Sequence, residues 1–304
     1  MTIFEEIKTS FRHGNMLTRL IYINVGIFIA VGLLYVGFRL FTPGSTLAEL
    51  KGIFNQKVMQ YLMLSAEPVK LITRPWTLIT YMFTHQNVWH ILFNLIWLFW
   101  FGKIFLQYLT EKQLLSTYLL GGLAGAVFYL LLLNLMPWLS DYLSSSMLGA
   151  SAAIMAVVIA VSFYVPDYTI YLLLIGPVKL KYIALISIVL DVILVASYNA
   201  GGHIAHLGGA LFGYIYIMQY RKGKDIGKWL NNFLDDLVTL FRPSRRLNIS
   251  FRRKSKPLND LEYNSRKATD QKEIDRILDK IAQSGYDNLT RKEKETLFRM
   301  SKRK

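Results

Sequence analysis

The chain contains no cysteine, which removes disulfide scaffolds, cysteine-ligated zinc, iron–sulfur centres and thiol nucleophiles from consideration. Charge is scarce where it would be needed for a soluble enzyme. Of the 35 Lys+Arg and 20 Asp+Glu in 304 residues, the first 220 residues hold 12 and 8. No hydrophilic stretch long enough for a large water-soluble catalytic domain lies outside the tail, so any chemistry is expected in the apolar region. An HExxH metal motif is missing as well. The opening stretch, MTIFEEIKTSFRHGNMLTRL, lacks the basic-then-apolar pattern and small-residue cleavage site of a signal peptide, and the apolar run behind it is long enough to be retained.

What is present is apolar and basic character kept apart. The chain is 53% hydrophobic yet carries a formal charge of +15, and residues 221–304 alone account for 23 Lys+Arg against 12 Asp+Glu. Between charges lie runs that match the ~20 residues needed to cross a ~30 Å hydrocarbon core. They fall between Arg19 and Arg39, then at 75–102, 113–140 and 142–166. The stretch 182–220, interrupted near 197–203 by SYNAGGH, supplies two more. The spacing therefore predicts an all-α membrane protein, a bundle of six transmembrane helices, since lipid leaves backbone groups no partner but their own helix. Lys and Arg are absent from the loops near 137–147 and 198–202, while Lys103, Lys112, Lys179, Lys181 and the tail lie on the opposite side. That bias predicts both termini in the cytoplasm. The loop at about 42–84 is the exception, and its Thr46/Glu49 capping box predicts an amphipathic helix lying on the bilayer.

This topology brings polar residues to one depth, because the second, fourth and sixth spans all enter from the outer side. Their first turns hold His85, His90 and Asn94, then Ser151, then His203 and His206. One histidine or serine in a span is ordinarily an interhelical hydrogen bond; three segments agreeing on depth is more than that. Gly209 and Gly213 follow His206 at i+3 and i+7 and so strip its helix face of bulk. Its expected neighbour is the small-residue stripe Ala152, Ala156 and Ala160 beside Ser151, while Gly121 and Gly125 read as ordinary membrane packing.

A serine near a helix N-terminus gains from unpaired amide hydrogens, and a histidine reaching it from another helix can take its proton, which is the minimum apparatus for acyl transfer. His90 and Asn94, four apart on one face, are candidate donors to an oxyanion. At these residues the sequence resembles the rhomboid intramembrane serine proteases: HILFN at 90–94, GAS at 149–151 and AHLGGALFG at 205–213 stand for the family's HxxxN, GxS and AHxxGxxxG. The resemblance covers about residues 15–220. It implies Ser151 as nucleophile and His206 as general base, with no acidic third member. It implies an oxyanion hole from His90, Asn94 and the Ser151 amide beside Ala150. Supporting roles fall to Gly149, Gly209, Gly213, His203 and His85, the last in structural hydrogen bonding. The chain departs from the family at Ala152, usually glycine, at Thr77 after Trp76, often arginine, and at Met155, often aromatic, where a sulfur contact to the histidine is expected. The implied reaction is hydrolysis of peptide bonds in or beside transmembrane segments of substrate proteins, with no cofactor and no metal.

The resulting organisation is a cytoplasmic segment at 1–16, a six-span rhomboid-like catalytic domain at 17–220, a basic juxtamembrane linker at 221–268 and a small helical hairpin at 269–304. Rival readings are a non-proteolytic rhomboid-like binding protein and a metal or haem site built from His85, His90, His203 and His206. Asp191, about midway down the fifth span, reads as a packing residue deeper than the serine. Residues 242–256 read as a segment touching anionic membrane lipid rather than nucleic acid. In the hairpin, Ile274, Ile277, Leu278 and Ile281 recur at helical spacing, with a stop near Gly285 and a Thr290/Glu293 capping box; it is read as a docking or self-association module for an unidentified partner. The expected location is a bacterial inner (plasma) membrane.

Overall fold

The computed structural model describes residues 2–42, 44–172, 175–197, 199–241 and 260–301. It divides into two units, residues 1–242 and 243–304. The basic stretch 242–256 lies outside the described residues.

The first unit is mostly helical. In order it contains α1 (Ile3–His13), α2 (Met16–Leu40), α3 (Leu47–Lys57), β1 (Leu64–Ser65), α4 (Pro68–Thr73), α5 (Thr77–Thr80), α6 (Val88–Tyr108) and α7 (Glu111–Leu135). Then follow β2 (Ser146–Met147), α8 (Ser151–Tyr164), β3 (Thr169–Leu172), β4 (Gly176–Lys179), α9 (Leu180–Leu194), α10 (Ala200–Arg221) and α11 (Lys228–Phe241). Several helices start where the sequence offers a cap. Asn15 accepts from the Thr18 amide at α2, Thr46 and Glu49 form the expected capping box at α3, and Thr110 and Gln113 form one at α7. Gly223, at a φ of +77°, follows α10 and Pro166 follows α8, so both helices end where the chain cannot continue them.

Six helices fall on the six apolar runs. By length and composition α2, α6 and α7 are suited to cross a membrane. The chain is an integral membrane protein. α8 is different: its 14 residues reach about 21 Å, short of a ~30 Å hydrocarbon core. It packs against α6, α7, α9 and α10, and nearly every residue from Ala152 to Ser162 is buried. α8 is the buried centre of the bundle, and Ser151 is its first residue.

The seam between α8 and α10 is made by glycine. A Cβ on Gly209 would run into the Ala152 carbonyl, and one on Gly213 into that of Ala156, so these helices meet backbone to backbone. Gly121 and Gly125 bring α7 equally close to Ala156 and Ala152.

Three features differ from the sequence expectation. The fold is not purely α: β1 pairs antiparallel with β2, and β3 with β4. Thr169–Leu172 alternates exposed and half-buried residues ahead of a glycine at φ +89°, a hairpin signal hidden among membrane-like apolar residues. His85 is not in the first turn of the second span; residues 77–83 form short turns, and the continuous helix runs from Val88. The linker at 221–268 is shorter than expected, because α11 occupies 14 of those residues and is tied to α7 by Lys112 to Asp235 at 2.5 Å.

The second unit contains α12 (Asp260–Ser284) and α13 (Arg291–Ser301). The first helix starts nine residues ahead of the expected 269. Gly285, at φ +80°, turns the chain. Ile277 and Leu289 are buried in it, and Lys280 binds both oxygens of Glu293 at 3.0 Å. Glu293 also takes the Thr290 amide, and these hydrogen bonds hold its carboxyl down to about 2.

Candidate active site

The loop before Ser151 is pinned by backbone and ring together. Tyr81, fully buried, donates its hydroxyl to the Gly122 carbonyl at 2.6 Å, and its own carbonyl receives the Gly149 amide at 2.9 Å. Gly149 has a φ of +117°, and a Cβ there would meet the His90 ring at 2.6 Å. Only glycine combines that backbone with that approach. α8 then starts at Ser151, whose amide belongs to the first turn and has no intrahelical carbonyl to bind.

From α10, His206 Nε2 lies 2.6 Å from Ser151 Oγ, a short hydroxyl-to-imidazole hydrogen bond. Both residues line a cavity of about 630 Å³ that also contains His90, Asn94, Gly149, Ala152 and Ala205. Lys51, Gln86 and Asn199 add polar groups to its wall. Of the residues that the sequence places at one depth, His90, Asn94, Ser151 and His206 open onto this one polar space, while His85 and His203 do not line it.

His85 lies beneath it as a fixed support. Its Nε2 accepts from Asn94 Nδ2 at 3.0 Å and from the Ala150 amide at 3.4 Å, and its ring packs edge-on against His90 at 5.1 Å. Asn94 was expected to point a donor at the reacting carbonyl; one of its two amide hydrogens is engaged by His85, leaving the other. The Ala150 amide is directed at the same ring. Met155, expected to touch the histidine through sulfur, packs with Ile159, Ala184, Ala210 and Ile188.

Two contributors were misjudged or missed in sequence. Asp191 is not deeper than the serine. α9 ends at Leu194, so Asp191 sits in its last turn, and its Oδ1 lies 2.8 Å from His206 Nδ1 and 2.8 Å from His203 Nδ1. The apolar run extends from 182 to the break near 197, and the helix is displaced two residues toward the N-terminus, which puts Asp191 nearer its end. Tyr81 carries no polar motif, and only its burial in a turn reveals its task.

The four-histidine metal site is not assembled. Among the described residues, the group able to offer three metal ligands close together is Asp191, His203 and His206. His85 is turned instead to Asn94 and Ala150.

A helical membrane protein with a serine and an imidazole meeting between two buried rods, one supplied by a GAS turn and the other by a glycine-faced helix, has a defined class. Residues 73–223 match the rhomboid domain, and the chain belongs to the rhomboid family. It is 33% identical over 183 residues to "RHOMBOID-like protein 12, mitochondrial" of Arabidopsis thaliana, covering 57% of this chain and 54% of that one. It is 34% identical over 149 residues to "Presenilin-associated rhomboid-like protein A, mitochondrial" of Danio rerio, covering 48% and 37%. The chain thus spans about half or less of the length of these relatives. Residues 259–303 match a family of unknown function.

Proposed function

We propose that the chain is an intramembrane serine endopeptidase, crossing the membrane six times, that cuts peptide bonds in or next to transmembrane segments of substrate proteins. The observation that carries the reading is the 2.6 Å contact between Ser151 Oγ and His206 Nε2 inside a polar cavity among apolar helices. Ser151 Oγ attacks the scissile carbonyl while its proton passes to His206 Nε2. The carbonyl electrons move to oxygen, where His90, the free hydrogen of Asn94 and the Ser151 amide are placed to donate. A good donor of this kind lowers the barrier by about 3–4 kcal/mol. Collapse of the intermediate expels the amine, which takes the proton from His206, and water drawn through the same base releases the acyl group. His85 holds Asn94 and the Ala150 turn in place, and Gly149, Gly209 and Gly213 permit the approach of the helices.

The test is cleavage of a transmembrane reporter by the full chain in detergent, beside fluorophosphonate labelling. Ser151→Ala and His206→Ala should each lose at least a thousandfold in kcat/KM, in keeping with about 10⁴ or more for such groups, and labelling should require Ser151. Cleavage that survives in Ser151→Ala overturns the reading. A well-folded wild type that captures transmembrane segments without cutting them supports the non-proteolytic reading. The names of the relatives carry a mitochondrial location and so favour an organellar membrane over the bacterial one expected from sequence. Localisation of the tagged chain decides between them. Residues 269–304 are proposed as a separate docking module.

A further inference from the structure

We propose that Asp191 is a positioning residue for His206, so that this chain sets its general base with a carboxylate from α9 instead of leaving the serine–histidine pair alone. The inference rests on the serine-protease reading of Ser151 and His206. Three side chains from three helices form one line: Ser151 Oγ to His206 Nε2 at 2.6 Å, then His206 Nδ1 to Asp191 Oδ1 at 2.8 Å. The Asp191 side chain retains 7% of its exposure, so the contact is shielded from water. An ionised carboxylate only accepts hydrogen bonds. The hydrogen between them therefore sits on Nδ1, which leaves Nε2 bare toward the serine hydroxyl, the tautomer a general base needs.

The same oxygen accepts from a second imidazole. His203, one turn before His206 on the same face, brings its Nδ1 to 2.8 Å from Oδ1, and the two rings meet edge-on at 5.6 Å. Two N–H donors converge on one buried oxygen and offset the cost of burying its charge. Asp191 Oδ2 has no partner. That asymmetry dictates what asparagine would do in its place. Putting the amide nitrogen at the Oδ2 position would bury two unsatisfied hydrogens. Putting it at the Oδ1 position directs one hydrogen to each imidazole and leaves an unpaired oxygen where one already exists. The second arrangement is favoured, and it forces the hydrogen on His206 to Nε2, where the ring can no longer accept from Ser151.

The proposal makes activity and stability move in opposite orders. Asp191→Asn, nearly isosteric and still bonded to both rings, should melt closer to wild type than Asp191→Ala. It should nonetheless be the less active of the two, with kcat reduced about 10²- to 10⁴-fold, as a wrong tautomer does in a serine protease, and with KM little changed. A purely structural clamp between α9 and α10 predicts that activity follows melting temperature, with asparagine the milder change; that result overturns the proposal, as does unchanged kcat in both variants. The tautomer is read independently of cleavage from nitrogen-15 shifts of full-length protein labelled at its five histidines. Wild type should show His206 protonated at Nδ1 and bare at Nε2, and Asp191→Asn the reverse. The same tautomer in both proteins overturns the proposal, as do wild-type signals that shift on adding a chelator, since a metal held by Asp191, His203 and His206 would then occupy the contact. Failure of the protease reading looks different: the tautomers switch as stated, but Ser151→Ala cleaves as well as wild type or nothing is cleaved.

Discussion

α9 and α10 are neighbours in sequence, yet the bundle holds them by opposite means. α10 is locked to α8 through Gly209 and Gly213, with backbone against backbone and no side chain left to yield. α9 buries only Leu180, Ala184 and Asp191, and turns Leu185, Ile186, Val189, Leu190, Val192 and Ile193 outward. The histidine within hydrogen-bonding reach of the serine is carried on the helix packed backbone against backbone. The acid that aims it comes from the helix with one apolar side free. Tight packing here fixes a distance, and a single polar contact fixes an orientation.

The contrast can be broken at the seam. Gly209→Ala sets a methyl group against the Ala152 carbonyl, and backbone has no rotamer with which to yield. Loss of about 1–3 kcal/mol is expected, measured by thermal melting in detergent. Cleavage should fall about a hundredfold if the rods part by 1 Å. Activity equal to wild type would mean that the seam does not set the serine–histidine distance. Ala184→Leu probes the other helix. Ala184 is buried against Ile159 and Ala210, but the far side of α9 is open, so the helix can shift outward. Its melting penalty should be nearer about 1 kcal/mol, and its loss of activity well below that of Gly209→Ala. The smallest effect is expected for Leu190→Ala, half-exposed on the outward face of α9, within about 0.5 kcal/mol of wild type. A large effect there would mean that α9 is covered by something besides lipid.

Much of this was readable from the chain. Charge gaps mark the six apolar segments, polar residues at one depth mark the candidates, and the resemblance to the rhomboid motifs picks out His90, Asn94, Ser151 and His206 among them. Helix ends were less legible. A run without charge says where apolar residues lie and not where hydrogen bonding stops, so α8 is shorter than its run, α9 is displaced along its own, and the place of Asp191 shifts with the end of α9. Tyr81 was invisible for a different reason: its task is done by a hydroxyl and a carbonyl across long stretches of chain, and neither leaves a local pattern.

The brevity of α8 has one further consequence. Hydrolysis consumes a water molecule, and oil holds almost none. A spanning rod of ordinary length would carry its first turn up to the aqueous boundary and leave the scissile bond of a guest helix outside the slab. α8, about 9 Å shorter than a hydrocarbon core, begins instead at the polar cavity of about 630 Å³ that Ser151 lines. Such a space, walled by polar groups, gives a hydrolytic reaction a place to hold its water.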